Sequence, residues 1–342
     1  MKKYYLEKIS VTERNGLLKR KSIIKGKVKK SVQKIVDEVK RTGLEAAIKY
    51  AKKFDGFSSD NIYVTKKEFK EAEKLLSIKI KSAIREAYKN IYTFHKKQYP
   101  QNYSLITAEG VKCERKFIPI ENVGLYIPSG TAPLPSTMLM LGVSAQIAEC
   151  KRVVAASPAK EKINPAILYA AKLCGITEII KIGGAHAIAL LAYGDKSFKQ
   201  VDKIFGPGNP YVQASKGIVS IDPDSSGCTI DMIAGPSELL IIADDNANPN
   251  FVAADLLSQA EHGNDSIVVL VTTSESLSKK VEQELSRQIE KLPRKDFAKK
   301  ALKNSFCLII NAIEEAFEFS NDFAPEHLII NLKDSKKYLN KI

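Results

Sequence analysis

The sequence predicts an α/β protein of two doubly wound units with a helical N-terminal region. Three observations predict it. Near-continuous Val/Ile/Leu runs bounded by Gly and Pro, such as RVVAASP, ELLIIAD and SIVVLVTT, have the length and composition of buried parallel strands. After Pro100 these runs alternate with helical segments, the pattern of parallel sheets covered on both faces. The first hundred residues keep helical spacing instead. A chain of 342 residues is long enough for two domains of ordinary size.

Each element follows in order. Residues 1–24 read as a short arm. From 27 to 53, Val28, Val32, Ile35 and Val39 keep helical spacing, and RTG (41–43) interrupts the run. TKKE (65–68) is a capping box, followed by the apolar stripe Phe69, Ala72, Leu76 and Ala83. VKCERKFIPIENVGLYIPSG reads as two strands with a turn at EN. RVVAASP is a buried strand, NPAILYAAKLCG a helix ended by Gly175, EIIKIGG a strand, AHAIALLAYG a helix, and VDKIFGPGNP a strand entering a Gly/Pro loop. ELLIIAD is a strand, NPNFVAADLLSQAEHG a helix, SIVVLVTT a strand and SESLSKKVEQELSRQIEKL a long amphipathic helix. SFCLIIN, IEEAFEFSNDFA and EHLIINL complete the series as strand, helix and strand. The units are expected to divide near AGPSE (234–238). The terminal KKYLNKI reads as the start of a helix without a cap, so the last unit is expected to be incomplete at its C-terminal part.

Composition excludes several function classes. Hydrophobic content of 44% and charge of 27% are those of a globular protein. MKKYYLEKIS lacks the apolar core of a secretory signal, and no apolar run approaches the ~18 residues of a membrane span. A cytoplasmic location is expected, with no membrane partner. The five cysteines are odd in number and widely spaced, which argues against a disulfide framework and thiolate zinc; Cys228 alone stands in a polar loop. Residues 1–100 hold 27 Lys+Arg against 11 Asp+Glu, so the basic excess of the chain is concentrated there. These lysines are spread along amphipathic helices without interleaved aromatics, and no nucleic-acid partner is expected.

Four Gly/Pro loops are expected beyond the C-terminal ends of strands, where open parallel sheets bind ligands: 126–137, 183–187, 205–211 and 233–238. None is a GxGxxG or Walker loop. The chain has four histidines. His95 lies on a Lys-rich helix and reads as solvated. Gln259 and His262 share one face near a helix end, where a cationic histidine already gains about 0.5 kcal/mol from the helix dipole. Two such ligands do not close a metal site. Glu326 and His327 stand at the mouth of the last strand. In a strand they point to opposite faces; in the bend before it they converge into a pair suited to proton transfer.

IDMIAGPSELLIIADDNANPNFVAADLLSQAEHG (230–263) closely resembles the signature segment of histidinol dehydrogenases. GLYIPSGTAPLPSTMLML, KIGGAHAIALLAYG, VDKIFGPGNPYV and APEHLII resemble further family motifs, in order and with family-like spacing. The resemblance runs from about residue 25 to the end. It implies two Rossmann-like units, with 1–24 as an arm, 25–125 plus 236–342 as a first domain carrying the zinc and catalytic residues, and 126–235 as a second domain on the NAD side. It implies a zinc- and NAD-dependent homodimer that oxidises L-histidinol through L-histidinaldehyde to L-histidine, the last step of histidine biosynthesis. Gln259 and His262 match zinc ligands that also lie against the substrate. Ser237 matches a substrate contact. His327 matches the general base and a substrate contact, and Glu326 the residue that activates water. Tyr126 and Asn209 match NAD contacts. His186 stands where the family usually has glutamine and is expected to contact NAD through an altered hydrogen bond; Ser129 replaces a usual glycine.

Family members are expected to continue for roughly ninety residues more, carrying an aspartate ligand and a histidine ligand given to the partner's site. As it stands the chain is therefore expected to hold two of four metal ligands, with activity impaired. Alternative readings are a related dehydrogenase of another small primary alcohol, or a non-catalytic fragment or dimerisation partner.

Overall fold

The computed structural model describes residues 1–20, 26–59, 61–129, 133–235 and 237–342. The chain forms two compact units, one of residues 1–23 with 235–342 and one of residues 24–234. It begins with β1 (Lys2–Tyr5) and α1 (Val11–Leu18), the latter opened by a Ser10/Glu13 capping box. The second unit follows as α2 (Gly26–Thr42), α3 (Leu44–Phe54), α4 (Lys66–Leu75), α5 (Ile78–Lys96), β2 (Tyr103–Ala108), β3 (Val111–Arg115) and β4 (Asn122–Tyr126). It continues as α6 (Pro135–Ile147), β5 (Arg152–Ala156), α7 (Pro165–Leu173), β6 (Glu178–Ile180), α8 (Gly184–Tyr193), β7 (Lys203–Phe205), α9 (Pro210–Val219) and β8 (Thr229–Ile230). The chain then returns to the first unit through β9 (Glu238–Ala243), α10 (Pro249–Ala260), β10 (Ile267–Thr272), α11 (Glu275–Ile289) and α12 (Lys295–Asn304). It closes with β11 (Phe306–Ile309), α13 (Ile313–Phe323) and β12 (His327–Asn331).

In residues 24–234 the sheet order is β6-β5-β4-β7-β8, with every pair parallel. The chain builds outward from β4 to β6, then returns to place β7 on the other side of β4. That reversal is the topological switch point of a doubly wound sheet. One face is covered by α2, α3, α8 and α9 around Val36, Val39, Ile188 and Leu191, the other by α4 to α7 around Ile84, Met138, Val143 and Ile167. The expected break at RTG is real: Gly43 has φ +58 and separates α2 from α3. The Thr65/Glu68 capping box opens α4 as expected.

In the other unit the order is β1-β11-β10-β9-β12, again all parallel. Helices α10, α11 and α12 cover one face, and α13 with residues of α1 covers the other. Here the reversal lies between β9 and β12.

Three expectations are corrected. The start of the expected arm is built into a sheet: β1 is hydrogen-bonded along β11 from Lys2↔Phe306 to Tyr5↔Ile309, and Tyr4 meets Phe306 edge-on with centroids 5.9 Å apart. The segment 111–126 is no hairpin turning at EN. β3 pairs instead with β2 around a turn at Gly110, φ +77, and β4 enters a different sheet. Residues 26–115 belong to the compact unit with 126–234, not with 236–342, because the apolar stripes of α2 to α5 are buried against β4 to β7 and their helices. No described helix is long and apolar enough to cross a membrane.

Candidate active site

The proton-transfer candidates are set by sheet register. β12 lies beside β9 with His327 opposite Leu239, so the bend residue Glu326 lies beside Glu238. The Glu326 carboxylate accepts a hydrogen bond from the Glu238 N–H at 3.1 Å through Oε2. Its Oε1 lies 3.9 Å from His327 Nε2. The two side chains therefore converge in the bend rather than diverging as strand neighbours would. Both are more than half exposed, at 51% and 59%, so substrate and water can reach them. Ser237 sits one residue before β9, with its carbonyl accepting from the Ile267 N–H at 3.0 Å. A carboxylate held by one backbone donor beside an imidazole can take a proton from water while the imidazole takes one from an alcohol.

Gln259 lies in the last turn of α10 and His262 just past its C-cap Glu261. Asn248 caps the helix start by accepting from the Asn250 N–H at 2.9 Å, with Pro249 in the first turn. Val252, Ala253, Leu256, Leu257 and Ala260 bury the inner face. Gln259 is left half-buried and His262 exposed. A helix joining parallel neighbours runs back along the sheet, so its end lies at the edge where β9, β10 and β12 begin. Ser237, Gln259, His262, Glu326 and His327 thus share the N-terminal edge of this sheet. The loop 233–238, of which residue 236 lies outside the described residues, follows β8 as expected, and Glu238 after it opens β9 at the N-terminal edge of its own sheet.

The donor chemistry fits zinc only halfway. Among the described residues no three His, Cys, Asp or Glu side chains gather as a metal site. One imidazole and one neutral amide supply half of a tetrahedral sphere. Cys228 is no substitute: it is 2% exposed, and burial pushes its thiol up to about 12.

In residues 24–234, the loops after β4, β6 and β7 lie at the C-terminal edge as expected. Part of the first, Gly130–Ala132, lies outside the described residues. Tyr126 ends β4, 4% exposed, and its hydroxyl accepts from the Gly184 N–H at 3.0 Å. Burial pushes this phenol up to about 12, so it keeps its proton. Asn209 is exposed and caps α9, its Oδ1 accepting from Tyr211 and Val212 N–H at 3.0 and 3.1 Å. Gly206, at the switch point, has φ +128, and a Cβ there would stand 2.3 Å from the Tyr126 carbonyl oxygen. Both its peptide groups are held: its N–H donates to Asp231 at 2.8 Å, and its carbonyl accepts from the buried Lys216 Nζ at 2.9 Å. Lys216 also pairs with Asp231. The switch point between β4 and β7 is where doubly wound sheets bind dinucleotides, but here the Tyr126 carbonyl fills the space beside Gly206, and the Gly183 and Gly184 N–H groups at the start of α8 are taken by Asp55 and the Tyr126 hydroxyl.

His186 departs from expectation. It is 2% exposed, its Nε2 is 3.2 Å from Asp55 Oδ2, and Tyr50 and Phe54 pack against its ring. Asp55 also accepts from the Gly183 N–H at 3.3 Å. The imidazole shares Asp55 with the loop backbone and has almost no surface left for a ligand. Sequence reasoning also missed Arg20 and Glu238. The Arg20 guanidinium meets Glu238 with both arms at 2.7 and 2.9 Å, and Glu238 is 3% exposed. An acidic residue opening a continuous apolar strand was the only available signal.

Comparison with known proteins places this architecture. The histidinol dehydrogenase family model matches residues 18–342. The chain is 50% identical over 331 residues to histidinol dehydrogenase of Campylobacter jejuni strain RM1221, covering 96% of this chain and 76% of that protein. It is 49% identical over 318 residues to the Pseudoalteromonas translucida enzyme, covering 92% and 73%. The crystal structure of histidinol dehydrogenase from Elizabethkingia anophelis superposes with a TM-score of 0.94 at 43% identity, covering 100% of this chain and 78% of that one. With the parallel sheets, the Glu326/His327 pair and the Gly206 approach all present in a chain this similar, the protein belongs to the histidinol dehydrogenase family.

Proposed function

We propose that this oxidoreductase oxidises L-histidinol through L-histidinaldehyde to L-histidine, using NAD and zinc, as a cytoplasmic homodimer in histidine biosynthesis. The observation that carries the reading is the convergence of Glu326 and His327 at 3.9 Å in a chain of this family. When bound, NAD supplies the hydride acceptor. Tyr126 and Asn209 are the proposed contacts to it, while His186 holds the 183–187 loop through Asp55. Gln259 and His262 are the proposed metal donors, and with Ser237 they orient the substrate.

His327 takes the alcohol proton as hydride leaves the carbinol carbon, giving the aldehyde. Glu326 then takes a proton from water as its oxygen adds to the aldehyde carbon, and His327 returns its proton to the former carbonyl oxygen, giving the hydrate. Loss of a second hydride from that carbon, with His327, neutral again, taking a hydroxyl proton, gives the carboxylic acid, which ionises to the carboxylate. A carboxylate and a base at one centre can serve both halves. L-Histidinol should reduce NAD far faster than short primary alcohols lacking an imidazole, by at least about 100-fold in kcat/KM. Comparable kcat/KM values, read from NADH absorbance, would point instead to a related dehydrogenase of another small alcohol.

A further inference from the structure

We propose that Arg20 and Glu238 are positioning residues for the Glu326/His327 pair, so that the N-terminal segment sets the geometry of proton transfer. The functional side of this rests on the reading of that pair given above.

Glu238 carries a carboxylate into a nearly closed position, 3% exposed, where an unpaired charge would be costly. Arg20 meets it through the full fork, Nε to Oε1 at 2.7 Å and Nη2 to Oε2 at 2.9 Å. The same Nη2 donates to the Ala324 carbonyl at 3.0 Å and to the Phe323 carbonyl. The guanidinium carbon stands 4.4 Å from the centre of the Phe323 ring. These carbonyls end α13, where Ala324 turns the chain in the left-handed region at φ 44, a conformation alanine rarely adopts. Arg20 thus takes the place that glycine and water fill at ordinary helix ends, and its charge suits the negative end of the helix.

From Ala324 the chain reaches Glu326 in two residues. Glu238 holds that residue from the other side, its N–H donating to Glu326 Oε2. Glu238 therefore grips Arg20 with its side chain and Glu326 with its backbone, while Arg20 grips the turn just before Glu326. The bend 324–327 is tied at both ends to one ion pair. Lysine has a single compact charge and cannot span the carboxylate and the two carbonyls.

The test compares Arg20→Lys and Arg20→Ala with the unaltered chain by amide hydrogen exchange and by the two half-reactions measured separately. Exchange over 323–328 is expected to quicken by about tenfold or more, while β10 and β11 are unchanged. Oxidation of L-histidinaldehyde, which needs Glu326 aligned, should slow by about tenfold more than the first oxidation. A mere loss of folded protein would slow both equally. If Arg20→Ala does not fold, Arg20→Lys carries the comparison. Unchanged exchange over 323–328 in the folded variants, or a loosened bend with the ratio of the half-reactions unaltered, would overturn the proposal. Absence of histidinol turnover in the unaltered chain would sink the functional reading alone, and exchange would still decide whether Arg20 fixes the bend.

Discussion

Replacing His327 with alanine is expected to lower kcat for histidinol-dependent NADH formation by about 10²–10⁴-fold, with KM little changed. The imidazole is 59% exposed at the first residue of β12, so removing it opens no cavity and leaves the Leu239 register intact. The loss should therefore lie in the chemical step. Glu326→Gln separates the two halves. Glutamine can still accept the Glu238 N–H through its amide oxygen, so the bend survives, but it cannot take a proton from water. The first oxidation should persist and the second should stall, with aldehyde recoverable by a carbonyl trap. Rapid-mixing measurement of NADH with each variant checks both. A Glu326→Gln variant that slows the two oxidations equally would show that water activation lies elsewhere.

Gly206→Ala is the substitution expected to destabilise most. Its Cβ would be forced to 2.3 Å from the Tyr126 carbonyl oxygen, which is backbone and cannot rotate away, at a φ of +128 that alanine avoids. Moving aside would break the bonds to Asp231 and Lys216 that hold both peptide groups. A loss of about 2–4 kcal/mol is expected, enough to lower Tm by on the order of 10 °C. Gly16→Ala is the control. Gly16 lies inside α1 with nothing within 4 Å of a built Cβ, so alanine there should be neutral or stabilise by about 0.5–1 kcal/mol. Thermal unfolding of the two variants side by side reads the difference. Equal Tm values would mean that the switch-point loop relaxes freely.

The elements were legible where local chemistry decides them. Gly43 broke the first helical run, Thr65 and Glu68 opened α4, and Gly175 and Gly194 lay just past the helices they end. Pairing was less legible, because it depends on complementarity between distant segments. β1 reads as an arm until Phe306 and Ile309 are present to receive it. β3 and β4 are separated by only a few residues and still enter different sheets.

The candidate site was legible as a residue set but not as a place. Glu326 and His327 were read as a pair that converges only in a bend, and the bend exists. That the pair, Ser237 and the end of α10 occupy the N-terminal edge of their sheet follows from topology, which motifs do not carry. His186 reads as a loop residue near a ligand, yet Asp55, far upstream in α3's C-terminal turn, draws its ring inward. Arg20 stands 218 positions from Glu238, and no local signal links them.

The most direct test is the stoichiometry of the complete reaction. Purified chain would be given limiting L-histidinol with excess NAD and zinc, and NADH and the amino-acid product measured at completion. Two NADH per L-histidinol, with L-histidine as the product, is the expected result. No histidinol-dependent NADH, or one equivalent with aldehyde as the end product, would contradict the proposed two-step oxidation.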